Sequence, residues 1–318
     1  MTKPIDLGEV HTYPLSQRKN TVRKELFGEV LAPQGEYARF LQSLPDILRA
    51  RDLKEICARV VAAAGANKEI ILAIGAHQIK IGMGPYIRRL IEAGLVTRVA
   101  MNGAGIIHDT ELAMIGETSE DVAEAIQNGS FGMAKETAEF LNAAIAEGAS
   151  NGQGIGATVG RRIAESSLPF RELSLTHFCH ERGVQLTVHV AYGTDIIHMH
   201  PSADGAATGK ATEIDFRKLA AAVCSLQGGV ILNVGSAVVL PEVFLKCLSI
   251  ARNLGHEVTE FTAVNLDMVQ HYRPQENVVR RPTLPDGKGY ALTGNLEILF
   301  PLVAYCLLDL QAQQDKGE

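Results

Sequence analysis

Three stretches of the chain carry side chains able to do chemistry. HVAYGTDIIHMHP gathers His189, Asp195, His198 and His200. An H-x-H pair on a strand projects two imidazoles from one face, a way to hold a divalent metal when a carboxylate and a third histidine stand near. The late chain offers no carboxylate motif to complete such a set, so no metal is assigned. Strand histidines also serve simply to satisfy core hydrogen bonds. Asp195 closes an apolar run, where a carboxylate can bind a ribose hydroxyl or a substrate ammonium, or act as a cap or turn residue.

The second stretch, NLDMVQHYRPQE, brings Asp267 and Glu276 close together in a loop. Paired acids suit a cationic amine, because each supplies a charge-assisted acceptor; a plain polar loop with an Arg273–Glu276 ion pair is the competing reading. The third, MNGAGIIHDTEL at 101–112, sets small residues ahead of His108 and Asp109. Little side-chain bulk lets backbone approach a ligand closely. His108, His198 and His271 are each candidates for a general base, since imidazole titrates near neutrality.

These groups need elements to position them. EIILAIGAHQIKIGMG (69–84) reads as a buried strand running into a loop and a helix, and PYIRRLIEAG (85–94) as a helix opened by proline and stopped by glycine. Further strand-to-loop units fall at VTRVAMNGAG, at 184–195, at 228–238 and at 256–267. Helices are expected over 110–148 with a break at GSFGMA, over 213–227 and over 241–254. NGQGIGATVG (151–160) lacks a preceding strand, so its glycines read as a turn before a helix as readily as a phosphate loop. The alternation predicts an α/β fold, doubly wound, with a mostly parallel sheet and helices on both faces. Residues 1–68 are expected as an N-terminal helical segment packed on a 69–318 core, the whole forming one domain. In such a sheet ligands bind beyond the carboxyl ends of the strands. That singles out His77 and Gly82, Asn102 to Asp109, Thr194 and Asp195, Gly235 and Ser236, and Thr262 to Asp267.

Composition narrows the classes. A formal charge of -6 argues against a general nucleic-acid binder, and the basic run of Arg18, Lys19, Arg23 and Lys24 is read as solvated or subunit-contacting. Five scattered cysteines form no C-x-x-C pair, which predicts a reducing, cytoplasmic setting. The N-terminus lacks an apolar signal core, and the apolar run NLEILFPLVAYCLLDLQ is expected as a core or interface helix, with no membrane role.

Taken in order, the motifs resemble the deoxyhypusine synthase family. GAHQIKIGMGPYIRRLIEAGLVTRVAMNGAGIIHDTEL is similar to its first glycine loop and the strand that ends in a glycine turn, with His108 where the family has Glu and Asp109 keeping the acid. YGTDIIHMHP, GGVILNVGSAV, TAVNLD, RPQE and YALTGNLEILFPLVA follow in the family's order, so the resemblance runs from about residue 69 to 308. It implies NAD bound at the subunit interfaces of a homotetramer and transient hydride abstraction from a polyamine. It also implies that Asn102, Gly103, Gly105, Asp109, Asp195, Gly235, Ser236, Thr262, Ala263, Gly294 and Asn295 face the cofactor and that Asp267 and Glu276 hold the amine.

Two departures bear on the reaction. Pro282 stands where the family has its imine-forming lysine, and Pro241 and Glu242 where it has a catalytic histidine. Without the lysine, the usual covalent intermediate cannot form. The expectation is an NAD-binding enzyme that acts on a polyamine or other amine-bearing small molecule, distinct from true deoxyhypusine synthesis. Three alternatives stand beside it: an aminobutyl transferase using Lys288, a metal-dependent enzyme built on His189, His198 and His200, and a catalytically silent nucleotide-binding protein.

Overall fold

A computed structural model describes residues 6–314. Its strands are β1 (Asn20–Arg23), β2 (Ile70–Ile74), β3 (Arg98–Asn102), β4 (Glu117–Glu120), β5 (Gln185–His189), β6 (Val230–Val234), β7 (Thr262–Asp267) and β8 (Lys288–Thr293). Six of them form one parallel sheet in the order β5-β3-β2-β6-β7-β8. The two-residue period of a strand explains the two cores. In β2, Ile70, Leu72 and Ile74 enter one apolar cluster while Ile71 and Ala73 enter the other.

Helices Leu48–Gly65, Gly84–Glu92, Gly103–Ile115 and Leu296–Gln314 fill the first cluster, and Gly205–Cys224 and Val239–Asn253 the second. The α/β, doubly wound reading therefore holds, with helices on both faces of the sheet. The last helix is long and apolar enough to span a bilayer, at 19 residues and mean hydropathy 1.3. It packs instead as a core helix: Phe300, Val303, Cys306 and Leu307 are buried in the first cluster. Its Asp309 accepts from the Tyr37 and Ala38 amides and so tethers helix Glu36–Ser43.

The N-terminal segment differs from a purely helical one. β1 pairs antiparallel with β4, setting Val22 opposite Thr118 and Asn20 opposite Glu120. Nor is the basic run uniformly solvated. Lys19 is exposed beside Glu124, whereas Arg18 is buried in a bidentate pair with Glu111 at 2.6 Å.

The strand expected over 256–267 begins only at Thr262. Ahead of it, side chains take the backbone groups a strand would pair: Arg252 donates to the Val258 carbonyl, and Gln227 Oε1 accepts from the Thr259 and Glu260 amides. β8 and the β1–β4 ribbon were not expected at all.

Candidate active site

All six parallel strands end on one edge, at Ile74, Asn102, His189, Val234, Asp267 and Thr293. The chain works outward from β2 through β3 to β5, then returns to the other side of β2 with β6. The topological switch point, where ligands of such sheets bind, thus lies between β2 and β6. There the two loops touch. Gly75 N donates to the Val234 carbonyl at 3.0 Å, and a Cβ on Gly75 would stand 2.0 Å from the Gly235 carbonyl oxygen. Gly235 itself has φ +62°. Beside it lies Gln78, fully buried, with neither amide atom bonded among the described residues. Its Nε2 is 3.2 Å from where a Gly235 Cβ would be. Sequence reasoning passed over Gln78 because one glutamine in a short helix carries no spacing signal.

The second feature is a cavity of about 250 Å³ beyond the ends of β3 and β5, lined among others by Lys80, Ala104, His108, Glu120, Phe131 and Asp195. Its floor is the start of helix Gly103–Ile115, capped by Asn102, whose side chain accepts from Gly105 N at 3.1 Å. Asp195 reaches over Gly103 so closely that a Cβ there would stand 1.9 Å from Oδ2. Burial pushes the Asp195 carboxyl up to about 6. His108 Nδ1 lies within hydrogen-bond distance of Thr118 Oγ1, at 2.8 Å, and burial holds its pKa below the usual imidazole value. Lys80 was not singled out in the sequence. Its place in the short helix after β2, opposite His108, is legible only in three dimensions.

The other sequence candidates fall into three groups. Gly235, Ser236, Asp267, Gly294 and Asn295 sit at the carboxyl edge, beside the switch point or along β7 and β8. Ser236 Oγ accepts from Leu240 N, and Asp267 Oδ1 accepts from Met268 N. Thr262 and Ala263 are corrected. They open β7, so they lie at the amino end of the sheet, and the same holds for Lys288, which opens β8 exposed to solvent. Five residue steps from Lys288 to Thr293 amount to roughly 16 Å.

A third group is committed elsewhere. The Asp109 carboxylate is buried and accepts from Ser174 Oγ, Leu175 N and Thr176 N, capping helix Leu175–Glu181 in place of facing a cofactor. Glu276 is taken up by Arg280 and Arg281, while Arg273 pairs with Glu242. His271 is exposed ahead of the short helix Tyr272–Pro274.

The three histidines of the H-x-H stretch do not converge. His198 and His200 lie in and after a 3-10 turn, not on a strand face. His189 Nε2 meets Thr187 Oγ1, and burial pushes its pKa down to about 3. His200 Nε2 donates to the Gly132 carbonyl, and His198 Nδ1 accepts from the Gly193 and Asp195 amides. Among the described residues no three His, Cys, Asp or Glu side chains are grouped to hold a metal.

No family model and no curated relative matches the chain. Among solved structures it is similar to AgrE in a ternary complex with ornithine and NAD+, with TM-score 0.52 and 12% identity over 89% of this chain and 35% of that one. Looser likenesses are to a candidate deoxyhypusine synthase from Entamoeba histolytica (TM-score 0.49, 11% identity, 89% of this chain and 98% of that one) and to a conserved candidate LOR/SDH protein from Methanococcus maripaludis S2 (TM-score 0.49, 13% identity, 89% and 75%). The chain spans about a third of the length of AgrE. What it shares with AgrE at this identity is the fold.

Proposed function

We propose that the chain is an NAD-binding enzyme that acts on an amine-bearing small molecule by transient hydride transfer, with His108 moving the proton. The observation that carries this reading is the shared cavity of His108, Lys80 and Asp195 at the carboxyl edge of the sheet. A base, a cation and a carboxylate facing one small space can hold and deprotonate a polar substrate. The likeness in fold to AgrE, whose complex contains ornithine and NAD+, supports it.

The edge fits a dinucleotide in its polar inventory. Asn102 and Asp195 supply polar groups at the ends of β3 and β5, and at the switch point the Gly75 and Gly235 loops meet with no side chain between them. Asn102, Gly103, Gly105 and Gly235 would hold the cofactor, which when bound supplies a two-electron acceptor. A cavity of about 250 Å³ is too small for a whole dinucleotide and suits the substrate. Asp195 holds the substrate ammonium, Lys80 an oxygen-bearing group, and His108 accepts the proton. Asp267, whose Oδ1 accepts from Met268 N, extends the acidic edge at the end of β7. The polyamine transferase reading through Lys288 is disfavoured, because that lysine opens β8 at the far end of the sheet.

Thermal melting with and without millimolar NAD tests the cofactor. Ligand at 100 times Kd adds about 2.7 kcal/mol to native stability. Reduced-nicotinamide absorbance on mixing with diamines and with amino acids tests the reaction. Absence of any melting shift at millimolar NAD overturns the proposal, and a shift with no reduced-nicotinamide signal even within a rapidly mixed single turnover supports the silent nucleotide-binding alternative.

A further inference from the structure

We propose that Thr118, anchored by Glu111 and Arg18, is a positioning residue that locks His108 as its Nδ1-protonated tautomer and so presents Nε2 to the cavity as the proton acceptor. The inference rests on the reading of that cavity as the active site.

The argument is one of counting protons. Glu111 is 1% exposed, and both its oxygens are occupied by donors. Oε1 receives Arg18 Nη1 at 2.6 Å and Thr137 Oγ1 at 3.1 Å; Oε2 receives Arg18 Nη2 at 2.6 Å and Thr118 Oγ1 at 2.5 Å. A carboxylate gripped by a guanidinium fork only accepts. Thr118 therefore spends its single hydroxyl proton on Glu111, and toward His108 Nδ1, 2.8 Å away, it has only a lone pair left. The proton between them belongs to Nδ1. In a neutral imidazole the other nitrogen is then the acceptor. His108 Nε2 has no hydrogen-bond partner among the described residues and is not among the fully buried unbonded atoms, while the ring lines the cavity.

His198 shows the opposite arrangement. Its Nδ1 accepts two backbone amides, so its proton sits on Nε2, which is buried and unbonded. It has no free lone pair to offer. This separates two histidines that the sequence left equivalent.

The ribbon of β1 and β4 holds Thr118 in place. Thr118 is fully buried opposite Val22, and the next residue, Ser119, is kept at φ +67° while its carbonyl accepts from Thr21 Oγ1 at 2.7 Å. A left-handed conformation at a residue with a Cβ is strained and persists where its surroundings over-determine it. Arg18 lies two residues ahead of β1 in the same ribbon, so the N-terminal segment is part of the site.

The test is 15N NMR of the histidine rings in the full chain, without NAD or amine, with the His108 signal assigned by its loss in H108Q. The expected result is a protonated Nδ1 and an unprotonated Nε2 in the wild type, loss of that preference in T118V, and its retention in T118S. A protonated Nε2 in the wild type, or an unchanged tautomer in T118V, overturns the proposal. Amide dispersion checks the fold, and T118A serves if T118V does not fold. In an amine-oxidation assay T118V lowers kcat about tenfold or more with KM within about twofold, and T118S recovers most of it. The tautomer is read without substrate, so the expected NMR result alongside an inactive protein would sink the enzymatic reading and leave this one standing.

Discussion

Asp195 Oδ2 occupies the space beside Gly103 so fully that a Cβ on Gly103 would begin 1.9 Å from it. The two residues come from the ends of neighbouring strands, β3 and β5, and their contact fixes the mouth of the cavity to the first turn of the helix below it. Gly103→Ala forces the short, 8% exposed aspartate to move. Overpacking of this kind costs about 1–3 kcal/mol. The cost should fall sharply in a D195A background, because the two positions are coupled. Chemical denaturation of the four proteins of this cycle measures it, and equal costs in both backgrounds would show that the contact is not the cause.

Stability should depend on pH through opposed groups. Asp195 and Asp215 both have carboxyls pushed up by burial to about 6. Their protonated forms favour the native state, so their contribution is present below about pH 4 and is lost as pH rises through 6. His189 runs the other way. Its folded pKa of about 3 means that its contribution is present above about pH 6.5 and is lost as pH falls toward 3. D195N should therefore stabilise the protein by roughly 1–3 kcal/mol at pH 7.5 and by little at pH 4. Melting curves across that range check the sign.

D109N separates architecture from binding. Its carboxylate takes three donors at the start of helix Leu175–Glu181, and an amide turns a donor of its own toward that cluster. The expected loss is about 2–4 kcal/mol. The increment in melting temperature on adding NAD should stay at the wild-type value. A variant that keeps its stability and loses the increment would return Asp109 to the cofactor set.

The two lysines offer a direct contrast. K80M should weaken binding of an amino acid substrate, whose carboxylate the lysine would hold, by about ten- to a hundredfold, as expected for removal of a charged hydrogen-bonding partner. K288M should leave it within about twofold, because that side chain is exposed at the opposite end of the sheet. Titration calorimetry on both variants reads the difference. The reverse ranking would restore Lys288 as the reacting group.

The parallel sheet was legible because its strands are short apolar runs that end in glycine or polar residues, as IILAIG and RVAMNG do. That pattern also led to Asn102, Gly103 and Asp195, which the fold gathers at one helix start. What escaped was written in residues with no period. NTVR and ETSE are too short and polar to announce β1 and β4, yet their pairing delivers Arg18 and Thr118 to the histidine. Thr262 and Ala263 were misplaced because HEVTEF reads as strand, while Arg252 and Gln227 tie that segment down as a loop. The i,i+4 spacing of Glu276 and Arg280 was readable and marks the glutamate as spent on a neighbour.

The pairing of β2 with β6 sets a condition on how this chain can be cut or synthesised. Ile70–Ile74 hydrogen-bonds to Val230–Val234, so the central strand of the sheet waits for a partner some 160 residues downstream. A nascent chain that has emerged only as far as β5 carries β2 with one side unpaired, on a strand whose every residue is apolar and buried in the finished protein. Such an edge recruits other chains. Fragments ending between Asn102 and Val230 will therefore aggregate, and full-length yield will track how well that edge is shielded until the second half of the chain arrives.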